Sequence, residues 1–318
     1  MRIAFFTENR GRGKIQRDNP NMRTDLAWMC ALQSEHYHLL DDLSLVEEKY
    51  DIGIFIVPKT HPELVSKLPI VKTMRKMCKK IGIMQEGPHW YFQDYSLEEQ
   101  AWFYNTLTQM DFLLCHNDID VKYFKGLTHK PCYKMSSLMI EDNIKPHIVN
   151  SDARQSVIIG GNMCNWYGGF DSFVVAKQFN EEIYVPSMGR KIDGEERLED
   201  LHHLPYMSWG DWINNLSRFK YAVHLMRTQA AGTFALNCAY HGIPCIGYKG
   251  LDTQELCFPQ LSVDVGDLYS AKLLTNKLMD KDYYNDVSKQ AKEKFNTLFG
   301  EKVYTYSMET IFKKVMNE

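Results

Sequence analysis

The sequence predicts an α/β chain of two similar halves, each a parallel sheet flanked by helices, and three observations carry this. Short apolar runs recur from residue 2 to residue 263, and runs such as DIGIFIV and DFLLC are apolar at consecutive positions. That pattern marks strands buried on both faces. Helical patterns separate the runs, so the strands join by crossovers and not by hairpins. The pattern stops in the polar, aperiodic stretch 141–154 (EDNIKPHIVNSDAR) and then restarts. A chain of 318 residues, 44% hydrophobic and 24% charged, is long enough to bury two cores.

In order, residues 2–7 (RIAFFT) read as the first strand and 24–32 as a helix. Residues 51–57, 81–85 and 111–115 read as further strands, with an aromatic-rich helix (LEEQAWFYNTL) between the last two. The second half opens at 156–159 and Gly160-Gly161, and its later strands are expected at 183–185, 221–225, 244–247 and 261–263. Its helices are expected near 170–179, 210–217, 231–241 and 266–278, with one long helical stretch over 280–317. The predicted domains are 1–150 and 151–300, followed by a C-terminal helix, 301–318, that crosses back onto the first domain. Two such halves are expected to face a cleft where strand C-termini meet, the usual place for a ligand.

Bulk properties narrow the function. A net charge of −3 argues against non-specific nucleic-acid binding over the whole surface. The eight cysteines form no CxxC pair and no zinc-like spacing, which suits thiols packed as small apolar groups in a reducing compartment. The N-terminus runs straight into a strand with no leader pattern, and no stretch reaches membrane-spanning length. The expectation is a cytoplasmic protein.

The segment 221–247 (YAVHLMRTQAAGTFALNCAYHGIPCIG) reads strand, loop, helix, strand. Gly232 and Thr233 open the helix, where free N–H groups and the helix dipole favour an anion. Arg227 stands just before, placed to clamp phosphate. This segment resembles the donor site of GT-B-fold glycosyltransferases, especially the large retaining family, which has two glutamates eight positions apart before a Gly-x-Pro. Aligned on Gly242-Ile243-Pro244, those positions are Gln229 and Asn237, both amides. The run 251–280 and the glycine-rich GGNMCNWYGGFDSFVVA also resemble that family; Gly161 and Asn162 would sit in its glycine-rich turn, with Asn162 and Gly168 where the family carries cations. Arg227, Arg190 and Lys177 are the candidate replacements. The segment VPSMGRK would line the base pocket through Ser187, Met188 and Gly189, with Trp209 and Trp212 packing beneath it.

The resemblance implies two Rossmann-like domains, a nucleotide-sugar co-substrate, UDP-linked in the expected case, and no essential cofactor or metal. The changed carboxylate and cation positions point to an inverting enzyme. Its base would be Glu86 or His89, at the end of one strand in IMQEGPHWYFQDY, with His116, Asn117 and Asp118 after the next strand as the second choice. Asp118-Ile119-Asp120 has the spacing of a metal motif but is expected to begin a helix. Trp90, Tyr91 and Phe92 are candidates for stacking on a sugar or for the core.

Two basic clusters bear on the acceptor. The loop 8–25 carries Arg10, Arg12, Lys14, Arg17 and Arg23, and Gly11 and Gly13 are expected to keep it mobile and able to touch the donor phosphate. Lys72, Arg75, Lys76, Lys79 and Lys80 are expected to share one face of one helix. Together they make a polyanion contact conceivable, so the acceptor is either a glycan or a DNA base bearing a hydroxymethyl group. A non-catalytic nucleotide- or sugar-binding protein and a sugar-nucleotide epimerase are the alternatives on the same fold.

Overall fold

The computed structural model describes residues 1–43, 46–58, 62–85, 87–142, 144, 153–161, 163–187 and 194–318, with the backbone alone at 62, 63 and 165. The chain forms two compact units. The first is Met1–Asn19, Thr24–Ile140 and Glu301–Glu318, and the second is Pro20–Arg23 and Glu141–Gly300.

The first unit holds β1 (Ile3–Thr7), β2 (Arg12–Lys14), β3 (Glu35–His38), β4 (Tyr50–Val57), β5 (Cys78–Gln85), β6 (Phe112–Cys115) and β7 (Cys132–Lys134). Their order is β2-β3-β1-β4-β5-β6-β7. Every pair is parallel except β2 with β3. Continuous apolar runs make the central strands: all five residues of β1 and seven of the eight in β4 are buried. The helices are α1 (Asp25–Ala31), α2 (Pro62–Val65), α3 (Ile70–Met77), α4 (Leu97–Gln109) and α5 (Asp118–Thr128). α4 starts at a reciprocal cap, in which the Glu99 N–H donates to Ser96 Oγ and the Ser96 N–H donates to Glu99 Oε2 at 3.0 Å.

The second unit holds β8 (Gln155–Ile159), α6 (Gly169–Ala176), β9 (Ile183–Val185), β10 (Leu201–His203), α7 (Trp209–Leu216), β11 (Phe219–His224), α8 (Thr233–His241), β12 (Cys245–Tyr248), α9 (Asp252–Cys257), β13 (Ser262–Val263), α10 (Leu268–Leu278) and α11 (Lys281–Leu298). Its sheet is parallel throughout, in the order β10-β9-β8-β11-β12-β13. The chain thus winds outward from β8 through β9 and β10, then restarts at β11 on the other side of β8. The gap between the C-terminal ends of β8 and β11 is the topological switch point, where doubly wound sheets take ligands.

Each unit also holds a piece of chain remote in sequence. α12 (Glu301–Asn317) belongs to the first unit. Its Phe312 is 1% exposed and meets Phe112 edge-on at 6.4 Å, and Arg17 binds Glu301 through two nitrogens at 2.9 and 2.7 Å. Residues Pro20–Arg23 belong to the second unit. There the Trp209 N–H donates to the Pro20 carbonyl at 2.7 Å, Arg23 donates to the Met207 carbonyl at 3.3 Å, and Met22 is buried.

Three sequence expectations change. The loop after β1 is not wholly irregular, because residues 12–14 form the edge strand β2. The basic helix stops at Met77, since Cys78 to Lys80 pair with Tyr50 to Ile52 as the start of β5. The long C-terminal stretch breaks at Phe299-Gly300 into α11 and α12. Among the described residues no helix is long and apolar enough to cross a membrane.

Candidate functional site

The switch point of the second unit is built by close backbone approach. β8 ends at Ile159, and the Gly160 N–H donates to the Val223 carbonyl at 2.9 Å. A Cβ on Gly160 would lie 2.4 Å from the His224 ring, so only glycine lets that ring come so close to the turn. Gly161 follows, covered by Tyr167. Gly168 holds a left-handed backbone at φ +63°, and a Cβ there would stand 1.8 Å from the Leu225 carbonyl oxygen. Polar bonds lock this turn to the chain leaving β11. Ser172 Oγ donates to the Gly168 carbonyl at 2.8 Å and accepts the Leu225 N–H at 2.9 Å, and Thr228 Oγ1 donates to the Trp166 carbonyl at 2.9 Å.

Arg227 stands at this end of the sheet, half-exposed, and pairs with Asp171 in the first turn of α6 at 2.8 Å. Tyr248, the last residue of β12, donates to the same Asp171 oxygen at 3.2 Å. Asp171 raises the Arg227 pKa above the ordinary guanidinium value, while burial and Asp171 together raise the Tyr248 phenol. Behind Arg227, α8 follows Gly232, an N-cap residue with a left-handed backbone and no side chain to cap the helix. The Gly232 carbonyl accepts from Thr253 Oγ1 at 2.8 Å. The first-turn N–H groups, beginning with Thr233, are therefore without a side-chain cap.

The structure thus brings Gly161, Arg227, Gln229, Gly232 and Thr233 to the C-terminal end of one sheet. Gln229 lies against Gly250 just beyond β12. Asn237 sits deeper in α8, 3% exposed, and its Oδ1 has no hydrogen-bond partner among the described residues. Lys177 is turned to Asp200 at 2.7 Å. Asn162, Met188, Gly189 and Arg190 lie outside the described residues. Trp209 and Trp212, 3% and 7% exposed, pack in the core as expected. Sequence reading missed Asp171, Tyr248 and His224. Their one signal was position, each lying in or just after a strand or turn at this end.

In the first unit, His89 lies on the loop after β5. Its Nδ1 is 3.0 Å from Asp120 Oδ1, and its ring packs on Tyr123 at 4.6 Å. Asp120 is 2% exposed and also accepts from Asn117 Nδ2 at 3.4 Å. Burial raises the Asp120 carboxyl above its ordinary value, and the His89 bond opposes that shift. With Nδ1–H donated to the carboxylate, Nε2 keeps its lone pair and can take a proton. In the sequence Asp120 stands out only through the Asp118-Ile119-Asp120 spacing, yet it orients the candidate base. Asp118, the neighbouring candidate, is mostly exposed and pairs with Lys134 at 3.1 Å. Glu86 lies outside the described residues. Phe92 stacks on Phe103 at 4.0 Å in the core. Among the described residues no group of three His, Cys, Asp or Glu side chains could hold a metal ion.

The basic clusters do not form the surfaces expected. Arg12 binds Glu48 and lies over the Tyr37 ring, and Arg17 binds Glu301. Gly11 and Gly13 belong to the turn and edge strand here; Arg10 and Gly13 offer carbonyls to His36, and Lys14 ends β2. Arg75 grips Asp111 at 2.6 and 3.0 Å, and Lys79 binds Asp51 at 2.7 Å. Lys72 and Lys76 stay on α3, while Lys79 and Lys80 stand on β5. Lys79 and Lys80 pair at the N-terminal start of β5, and His89 follows the C-terminal end of that same strand.

No family model and no curated protein matches the chain in sequence. Solved structures match it over 86–99% of its length. Sucrose-phosphate synthase from Thermosynechococcus elongatus superposes with a TM-score of 0.72 at 11% identity, covering 99% of each chain. Anabaena Alr3699/HepE in complex with UDP and glucose gives 0.70 at 10% identity, covering 99% of this chain and 100% of that one. The pneumococcal O-GlcNAc transferase GtfA in complex with UDP and GlcNAc gives 0.63 at 11% identity, over 86% of this chain and 59% of that one. The chain has the GT-B fold. Its two parallel sheets are the two Rossmann-like domains of GT-B, and the donor-domain resemblance read from residues 221–247 falls on the second of them.

Proposed function

We propose that this GT-B protein is a glycosyltransferase that moves a sugar from a UDP-linked donor to a hydroxyl of a glycan. One observation carries the reading: at the switch point of a doubly wound sheet, a glycine-rich turn, an arginine and a helix start without a side-chain cap converge. Free helix-start N–H groups and a cation at a switch point support a diphosphate ligand there. HepE and GtfA, of the same fold, have been captured with UDP and a sugar, which supports UDP as the nucleotide.

In this reading Arg227 turns from Asp171 to the diphosphate, and the first-turn N–H groups of α8 receive the remaining phosphate oxygens. Asn237 Oδ1 accepts a ribose hydroxyl, which supplies the donor it lacks. His89, oriented by Asp120, takes the proton of the acceptor hydroxyl through Nε2. The acceptor oxygen bonds to the anomeric carbon, the bond from that carbon to the diphosphate breaks, and UDP leaves with its charge held by Arg227 and the α8 dipole. A single displacement inverts the anomeric centre. A glycan acceptor is favoured over modified DNA because Arg12, Arg17, Arg75 and Lys79 already pair with carboxylates.

The test is UDP release from UDP-glucose, UDP-galactose and UDP-GlcNAc, each with simple glycosides, with hydroxymethylated duplex DNA or with no acceptor. Glycoside-stimulated release with inverted product by NMR supports the reading. Binding without release marks a non-catalytic binder, interconversion of the UDP-sugars marks an epimerase, and retention refutes the single displacement.

A further inference from the structure

The turn that carries the proposed diphosphate site also displays an unusual pair of side chains. Fifteen of the sixteen phenylalanines are buried, and the remaining one, Phe170, is 59% exposed. Trp166, 48% exposed, is the one tryptophan among the six that reaches that class. These two outliers stand four residues apart, on either side of Gly168.

Their exposure is not the looseness of a mobile segment. The Trp166 carbonyl is held by Thr228, and Gly168 is braced through Ser172 to Leu225. Phe170 lies in the first turn of α6, directly before Asp171, which is fixed between Arg227 and Tyr248. A hydrogen-bonded turn therefore presents two apolar rings to water at the ligand-binding end of the sheet, next to a cluster of polar groups. The other fifteen phenylalanines are buried, where removing apolar surface from water stabilises the fold. Exposed apolar rings beside hydrogen-bonded polar groups suit a ligand with apolar faces and hydroxyl edges. A pyranose ring has that character: its axial C–H groups form an apolar face, and its hydroxyls lie around the rim.

We infer that Trp166 and Phe170 form an aromatic platform that holds the pyranose of the nucleotide-sugar beside the diphosphate. The inference rests on the reading of the second unit as the donor site and adds what recognises the sugar itself. Sugar hydroxyls would then face Asp171 once Arg227 has turned to phosphate.

The experiment is calorimetric titration of the full chain with UDP and with UDP-glucose, UDP-galactose, UDP-GlcNAc and GDP-mannose. It uses the wild type, Trp166→Ala/Phe170→Ala, and the ring-keeping Trp166→Phe/Phe170→Tyr. Both positions are exposed, so the variants are expected to keep the wild-type circular dichroism and melting temperature. The expected result is a loss of tenfold or more in affinity for the preferred sugar nucleotide in the alanine variant. UDP affinity should stay within twofold, and most of the sugar affinity should return in the ring-keeping variant. An equal loss for UDP and for the sugar nucleotide would overturn the platform and assign the rings to the base. An unchanged affinity in the alanine variant would overturn it outright. If the wild type binds no nucleotide at all, the donor-site reading fails and the platform with it, a result distinct from the other two.

Discussion

His224 and His241 make the second unit sensitive to mild acid. His224 is 5% exposed, closes the floor of the glycine-rich turn, and has no partner for Nε2 among the described residues. His241 ends α8 with Nε2 2.7 Å from the Ile213 carbonyl, which accepts its Nε2–H. Burial lowers both imidazoles from 6.5 to about 4. The folded unit therefore refuses a proton that the unfolded chain accepts from pH 6.5 downward. Stability is complete above pH 6.5 and falls as the pH drops toward 4. At 1.36 kcal/mol per unit, each histidine removes about 2 kcal/mol by pH 5 and about 3 kcal/mol at pH 4. Together they remove about 4 kcal/mol at pH 5, which corresponds to a urea midpoint lower by on the order of 2 M. Asp51, Asp111, Asp200 and Asp267 all titrate below 3.8, so their losses fall under this window. Hydrogen exchange of β11 and α8 amides in increasing urea, at pH 7 and pH 5, reads the second unit directly. His224→Phe and His241→Gln should each remove about half of the acid loss. Equal stability at the two pH values, or a double variant that keeps the full loss, refutes the reasoning.

Four further outcomes are expected. His89→Ala should lower kcat by about 100-fold or more, the low end for general-base catalysis, and Asp120→Asn by about tenfold with a shifted pH–rate profile; equal rates across these variants would remove the pair from the chemistry. Arg227→Ala should weaken UDP binding by about 2 kcal/mol, roughly 30-fold by calorimetry. Asn237→Ala should raise the donor KM more than it lowers kcat, as loss of uniform binding does, whereas a pure kcat defect would contradict the ribose contact. Gly168→Ala should destabilise the second unit by about 3 kcal/mol or more. About 1–2 kcal/mol of that is the left-handed penalty, and the rest comes from displacing a backbone carbonyl and its hydrogen bonds; an unchanged melting temperature would show that the turn is not rigid.

The sequence made the fold class and the C-terminal end of the second unit's sheet legible because both depend on local rules. Consecutive apolar residues mark doubly buried strands, and Gly232 before Thr233 marks a helix start after a loop. Short edge strands such as β2 and β10 escaped because three residues carry no periodicity and their pairing is decided by neighbours distant in the chain. The basic stretch 72–80 misled for a related reason: helical spacing continues on paper past Met77, but pairing of Cys78 with Tyr50 takes over. Asp120 and Asp171 were invisible as site residues because their roles come from partners 31 and 56 residues away, His89 and Arg227. Separation of that kind leaves no local pattern.

The exchange of short pieces between the units has a consequence for synthesis. On a ribosome the first 140 residues emerge early, but the helix that covers Phe112 is translated only after the whole second unit. The first unit must therefore wait, with an apolar face uncovered, while its neighbour is made and folds around Pro20–Arg23. Domain-by-domain folding from the N-terminus is the common order for multidomain chains. Here the second unit is the one that can finish first, and fragments cut at residue 140 or residue 300 would each leave the first unit unfinished.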